Sequence, residues 1–169
     1  MAISFDTNHK PVIGKAEQLE NDLVVITADN ASPMTFTGTR TYILGTENLI
    51  VIDPGPDSEA HLSSIMKYIG KRKVTDILLT HSHIDHSPLS RQLKIETGAR
   101  IIGFGSADEA RTSFMKKLSS SLDLRGEEGI DTDLVLDKKV YEKQILNLNN
   151  YSIEVVHTPG HLSNHICFS

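Results

Sequence analysis

Cysteine is nearly absent: Cys167 is the only one in 169 residues. One thiol cannot build an internal disulfide framework, and its rarity fits a reducing compartment such as the cytoplasm. No apolar run approaches the length of a membrane span, so no membrane association is expected. Met1 to Pro11 lacks a basic start followed by an apolar stretch, so no secretory signal is expected either. Basic residues are in deficit, with a net charge of −5. That excludes a broad nucleic-acid surface, though not a local basic patch. Tryptophan is missing and aromatics are scarce, while the composition is otherwise that of an ordinary soluble protein. The length fits one domain, 1–169, with residues 1–20 as an N-terminal extension.

Strands and helices alternate in the middle of the chain, after a hairpin-rich start. Leu23 to Ala28, Thr39 to Leu44 and Leu49 to Ile52 read as strands, the last two joined by the Gly45-Thr46-Glu47-Asn48 turn. Ser58 reads as a helix N-cap, and Leu62, Ile65, Met66 and Ile69 recur on one helical face before Gly70. Val74 to Leu79 reads as a largely apolar strand. Ser87-Pro88 starts a second helix that ends near Gly98. Ile101 to Phe104, Leu134 to Leu136, Ile145 to Leu148 and Ser152 to Val156 follow as strands. Ala107 to Leu118 reads as helical, and Ser119-Ser120-Ser121 with Gly126 to Gly129 as a surface excursion. The class is mixed α/β, in the α+β sense.

Six of the eight histidines sit in two clusters. The first is Thr80-His81-Ser82-His83-Ile84-Asp85-His86, between an apolar strand and a helix. The second runs from His157-Thr158-Pro159-Gly160-His161 to His165. Three imidazoles and a carboxylate within six residues suit zinc and related metals. His81 and His83 can turn to one ion, with His157 as a third ligand from another strand end. Asp85 and His86 can face a neighbouring ion. A solvated polar loop is the alternative.

At these residues the chain resembles the metallo-β-lactamase-fold hydrolase superfamily. Gly38-Thr39-Arg40-Thr41-Tyr42 is similar to an early strand signature, with Arg40 where Asn is commoner. Ile52-Asp53-Pro54-Gly55-Pro56 is similar to the first motif, and the two histidine clusters to the second and third. The likeness covers roughly residues 20 to 169 and is greatest to the glyoxalase II-like and lactamase-beta-2-like branch. It implies the N-terminal part of an αββα sandwich with metals at one edge. It implies His81, His83 and His157 on a first zinc, and Asp85, also catalytic, with His86 on a second. Asp53 would stand behind them, holding the metal loop by hydrogen bonds; a turn-capping aspartate is the plainer alternative. Manganese or iron suits such ligands too. A metal-bridging hydroxide would attack an ester, a thioester or a phosphodiester, so the expected substrate is a small ester or thioester, or RNA.

The resemblance also implies a bridging Asp and a late His beyond Ser169. Ile166 to Ser169 is similar to the start of the strand that would lead to that Asp. The expectation is a chain cut in mid-strand, holding one zinc or none and hydrolysing poorly by itself. A single-iron dioxygenase of the same superfamily and an interaction protein with a vestigial metal site are the alternatives. His161, His165 and Arg40 are candidates for the substrate side. His61 is expected to be solvated on the polar side of its helix, and Cys167 to be a core strand residue. Lys71-Arg72-Lys73 reads as a charged turn before it reads as an RNA contact. Oligomeric state is left open.

Overall fold

The computed structural model describes residues 8–114, 116–117 and 129–169. A seven-stranded sheet runs in chain order through β1 (Ala16–Glu20), β2 (Leu23–Thr27), β3 (Arg40–Leu44), β4 (Asn48–Ile52), β5 (Lys73–Leu78), β6 (Arg100–Gly103) and β7 (Lys138–Lys139). The first four strands pair antiparallel, and β4 to β7 pair parallel. A second sheet holds β8 (Ile145–Leu148), β9 (Tyr151–His157) and β10 (Ile166–Phe168), with β9 in the middle. The parallel connections need crossovers, which α1 (Glu59–Ile69) and α2 (Leu89–Thr97) supply.

The central strands are mostly apolar because both their faces are covered, and the one buried charge among them, Asp76 of β5, is paired with Arg100 of β6. Val51, Ile77 and Ile101 pack with Ile65, Ile69 and Leu93 of the helices. Their chain neighbours Ile50, Leu78 and Ile102 point the other way, onto Leu146, Val155 and Ile166 of the second sheet. The described layers are therefore helices, sheet and sheet. No helix among the described residues is long and apolar enough to cross a membrane.

Four expectations change. Part of the supposed N-terminal extension is β1, which pairs with β2. Its five residues are mostly exposed, as an edge strand's are, so no buried apolar pattern announced it. Leu134 to Leu136 forms no strand; Leu134 and Leu136 pack on the core as irregular chain, and pairing resumes at β7. The helical reading from Ala107 is met by a short α3 (Ala107–Ala110) capped by Ser106, while its end at Leu118 and most of the excursion lie outside the described residues.

His61 is the fourth. The buried meridian of α1 runs through His61, Ile65 and Ile69, four residues apart, so His61 faces inward at 3% exposure. Its Nε2 meets Thr41 Oγ1 at 2.8 Å, and its Nδ1 is buried without a partner. Burial pushes its pKa down from 6.5 to about 4. Below pH 6.5 the unfolded chain takes up a proton that the folded chain refuses, so stability is full above that pH and falls as pH drops towards 4. Between pH 7.5 and 5 this one group should cost about 2 kcal/mol. Urea unfolding of wild type and His61→Gln at both pH values checks it. The variant's pH-dependent loss should be smaller by that amount, and equal losses would exonerate His61.

Candidate metal centre

The loops after β4 and β5, the chain after β6 and the turn between β9 and β10 meet at one edge of the sandwich. Parallel strands deliver their C-terminal ends to one side, and the groups that follow gather there. Asp53 closes β4 with φ +48, a left-handed conformation that Asp tolerates better than most residues. Its backbone N–H donates to Leu78 O, tying it to β5. Its nearly buried carboxylate accepts from Thr80 N at 2.8 Å, Thr80 Oγ1 at 2.6 Å and His86 Nδ1 at 3.0 Å. The next residues bend sharply at Gly55, with φ +101, whose N–H donates to His86 O. A Cβ there would press on the His61 ring at 3.0 Å.

The first histidine loop is braced on every side. Thr80 Oγ1 lies 2.8 Å from His81 Nδ1, which leaves His81 Nε2 buried with no partner. Thr39 Oγ1 donates to Asp85 Oδ2 at 2.8 Å and is itself held by Asn30. From behind, the buried Asp131 accepts from Ser87 Oγ and Arg91, while its N–H donates to Ser82 O.

The structure gathers His81, His83 and His161. Each offers a ligand atom within 4.8 Å of the others'. The His161 ring centroid lies 4.6 Å from that of His83 and 5.1 Å from that of His81. His157, the expected third ligand, is not brought into this group. β9 carries its ring away from the edge, stacked on Phe104 with centroids 4.2 Å apart, and its Nε2 meets Ser163 O at 2.9 Å. Its backbone N–H is taken by Glu142. The turn through Pro159 and Gly160 then brings His161 back to the cluster. His165 is also near, 5.0 Å from His81 by centroid, with Nδ1 at 2.7 Å from Thr158 Oγ1.

A second group comprises Asp53, His81 and His86 by the same distance criterion. Both oxygens of Asp53 are already engaged, so it serves as a support for His86 and Thr80. Asp85 Oδ2 lies 3.3 Å from His86 Nε2, which places those two side by side. The electrostatics follow the packing. Burial and the neighbouring imidazoles push His81 down to about 2. Burial, with His161 next, also lowers His83. Burial works against a charged His86, yet its hydrogen bonds to Asp53 and Asp85 raise it to about 9. Partial burial likewise opposes the Asp85 charge, and hydrogen bonds from His86 and Thr39 hold its carboxyl well below the usual range. His81 and His83, kept neutral by their surroundings, a buried His81 nitrogen without a partner and the ionised Asp85 are donors that a zinc-like ion takes, while His86 would have to give up its proton to join them. The residues therefore fit a metal.

Beside the cluster lies an open cleft of about 330 Å³ lined by Met34, Thr35, His83, Ile84, Asp85, His86, Gly129 and His161. Met34 and Ile84 are both exposed, an apolar rim next to polar ligands. Arg40 is not among the residues that line the cleft, and no ion pair joins it to another of the described residues. Cys167 is exposed on β10, which corrects its expected place in the core.

The sequence model of the Metallo-beta-lactamase superfamily matches residues 34–169. Hydroxyacylglutathione hydrolase GloC of Haemophilus influenzae is 33% identical over 122 residues, which are 72% of this chain and 55% of that protein. The beta-lactamase-like protein 2 homolog of Drosophila melanogaster is 31% identical over 165 residues, 92% of this chain and 51% of its own length. An atrochrysone carboxyl ACP thioesterase of Passalora fulva is 29% identical over 163 residues, covering 94% and 41% respectively. The chain thus spans about half the length of the curated relatives it matches. Among solved structures, a subclass B3 metallo-beta-lactamase of Bradyrhizobium japonicum superposes with a TM-score of 0.67 at 21% identity, over 94% of this chain and 56% of that one. That likeness concerns the fold alone.

Proposed function

The chain belongs to the metallo-beta-lactamase superfamily, and from that premise we propose that its protein is a zinc-dependent thioester hydrolase of the cytoplasm. The observation that carries the reading is the His81, His83 and His161 group, whose ligand atoms lie within 4.8 Å of one another, together with a His81 Nε2 that is buried and unpartnered. His81, His83 and His161 would hold a first metal. Asp85 and His86 would contribute to a second, with Asp53 fixing His86 from outside. When bound, such a metal ionises a water near neutral pH and polarises a carbonyl oxygen.

The protein's own part is to orient and to exclude. Thr39 and Asp53 fix the directions of Asp85 and His86 by hydrogen bonds, which also set ligand basicity. Met34 and Ile84 give the cleft an apolar wall that suits the acyl side of a thioester better than a phosphodiester. Thioesters are also the substrates in the names of the relatives, a hydroxyacylglutathione hydrolase and an ACP thioesterase.

The test is metal analysis of the purified protein with assays on acyl thioesters and on RNA. Thioester hydrolysis should vanish with chelator and return with zinc. Bound iron with oxygen consumption, or metal-independent hydrolysis, would overturn the reading. The wall has its own consequence. Ile84→Asp should raise KM for a long-chain acyl thioester about tenfold while barely changing it for an acetyl thioester, because one lost apolar contact is worth roughly 1–3 kcal/mol. Steady-state kinetics on the two substrates check it.

A further inference from the structure

Asn164 is nine-tenths and more buried, at 2% exposure, and lies three residues after His161. Its Nδ2 donates to Ser82 Oγ at 3.0 Å and to Gly105 O at 2.8 Å. Ser82 is also buried and sits between His81 and His83. One amide group therefore ties the turn that carries His161 to the loop that carries the other two histidines, and both to the chain just after β6. Neighbouring bonds stiffen the same turn. Thr158 N donates to His165 O, His165 N to Leu162 O, and Ile166 N to Thr80 O. Ser163 Oγ anchors it further on Ala107 O.

We propose that Asn164 is a positioning residue that sets His161 against His81 and His83 through its bond to Ser82. The proposal rests on the metal reading of those three histidines. A filler of the core would not look like this. Asn164 Oδ1 is buried with no protein partner, so the side chain leaves one polar atom unsatisfied. An apolar residue of similar size would spare that cost. What the amide alone supplies is two donor bonds in fixed directions, both to segments that frame the site. Groups outside the ligand set that orient ligands typically change metal affinity about 10–100-fold when removed.

The experiment measures zinc affinity by chelator competition and the visible spectrum of the cobalt form. It uses the wild type, Asn164→Ala, Ser82→Ala, the double variant and His161→Ala. Thermal unfolding of each metal-free protein runs alongside. Asn164→Ala should weaken zinc binding at least tenfold and shift the cobalt bands. Ser82→Ala, which removes one of the two bonds, should do less, and the double variant should be no weaker than Asn164→Ala alone. If Asn164→Ala fails to fold, the Ser82→Ala loss decides. Affinity within twofold of wild type and unchanged bands, while His161→Ala loses the metal, would reduce Asn164 to a structural residue. If His161→Ala itself keeps wild-type affinity, the metal reading falls first and the proposal with it.

Discussion

Replacing His161 with alanine should weaken zinc binding about a thousandfold, while His157→Ala should leave it within a few-fold of wild type. Structural zinc sites are worth about 10–16 kcal/mol in all, so one of three imidazoles carries roughly 3–5 kcal/mol. His161 is exposed, so its removal leaves no large cavity and should barely change metal-free stability. His157 has the opposite profile. Its ring stacks on Phe104 and meets Ser163 O, so His157→Ala should lower the unfolding temperature. Competition titration and thermal unfolding of the two variants separate the roles. A His157→Ala protein that loses its metal and keeps its stability would show that the third ligand is His157 after all.

That pair of histidines also shows what the sequence could and could not convey. The His81 to His86 string was legible because its chemistry is concentrated in six residues. The apolar strand before it and the helix after it follow from burial on both faces and from turn residues. Within His157 to His161, however, both imidazoles follow a strand, and composition does not say which one turns back. The decision comes from Phe104, 53 positions before His157 (157 − 104 = 53), which offers a flat apolar partner. The supports were hidden for the same reason. Thr39 reaches Asp85 across 46 residues, Asp131 reaches Ser87 across 44, and Asn164 reaches Ser82 across 82. Each is one ordinary polar side chain whose partner exists only after folding. His61 escaped because a helix with Leu62, Ile65, Met66 and Ile69 defines its buried face only to within one residue, and the true meridian includes position 61.

Asp53→Ala should be the most damaging single change to the site's framework. Three donors converge on this carboxylate, and removing it strands Thr80 N, Thr80 Oγ1 and His86 Nδ1 together. Breaking a buried charged pair from one side costs about 3–5 kcal/mol. The left-handed φ of +48 adds strain for alanine, which tolerates it less well than Asp or Asn. Asp53→Asn isolates the charge. It keeps the backbone conformation and one acceptor oxygen, so its stability loss should be about half that of alanine. Zinc affinity should fall by about 10–100-fold in both, because His86 loses the anion that orients its ring. Denaturant unfolding of the metal-free proteins, paired with chelator competition, reads the two effects separately. Wild-type zinc affinity in Asp53→Asn would mean that the carboxylate only closes the turn before Pro54 and has no bearing on the metal ligands.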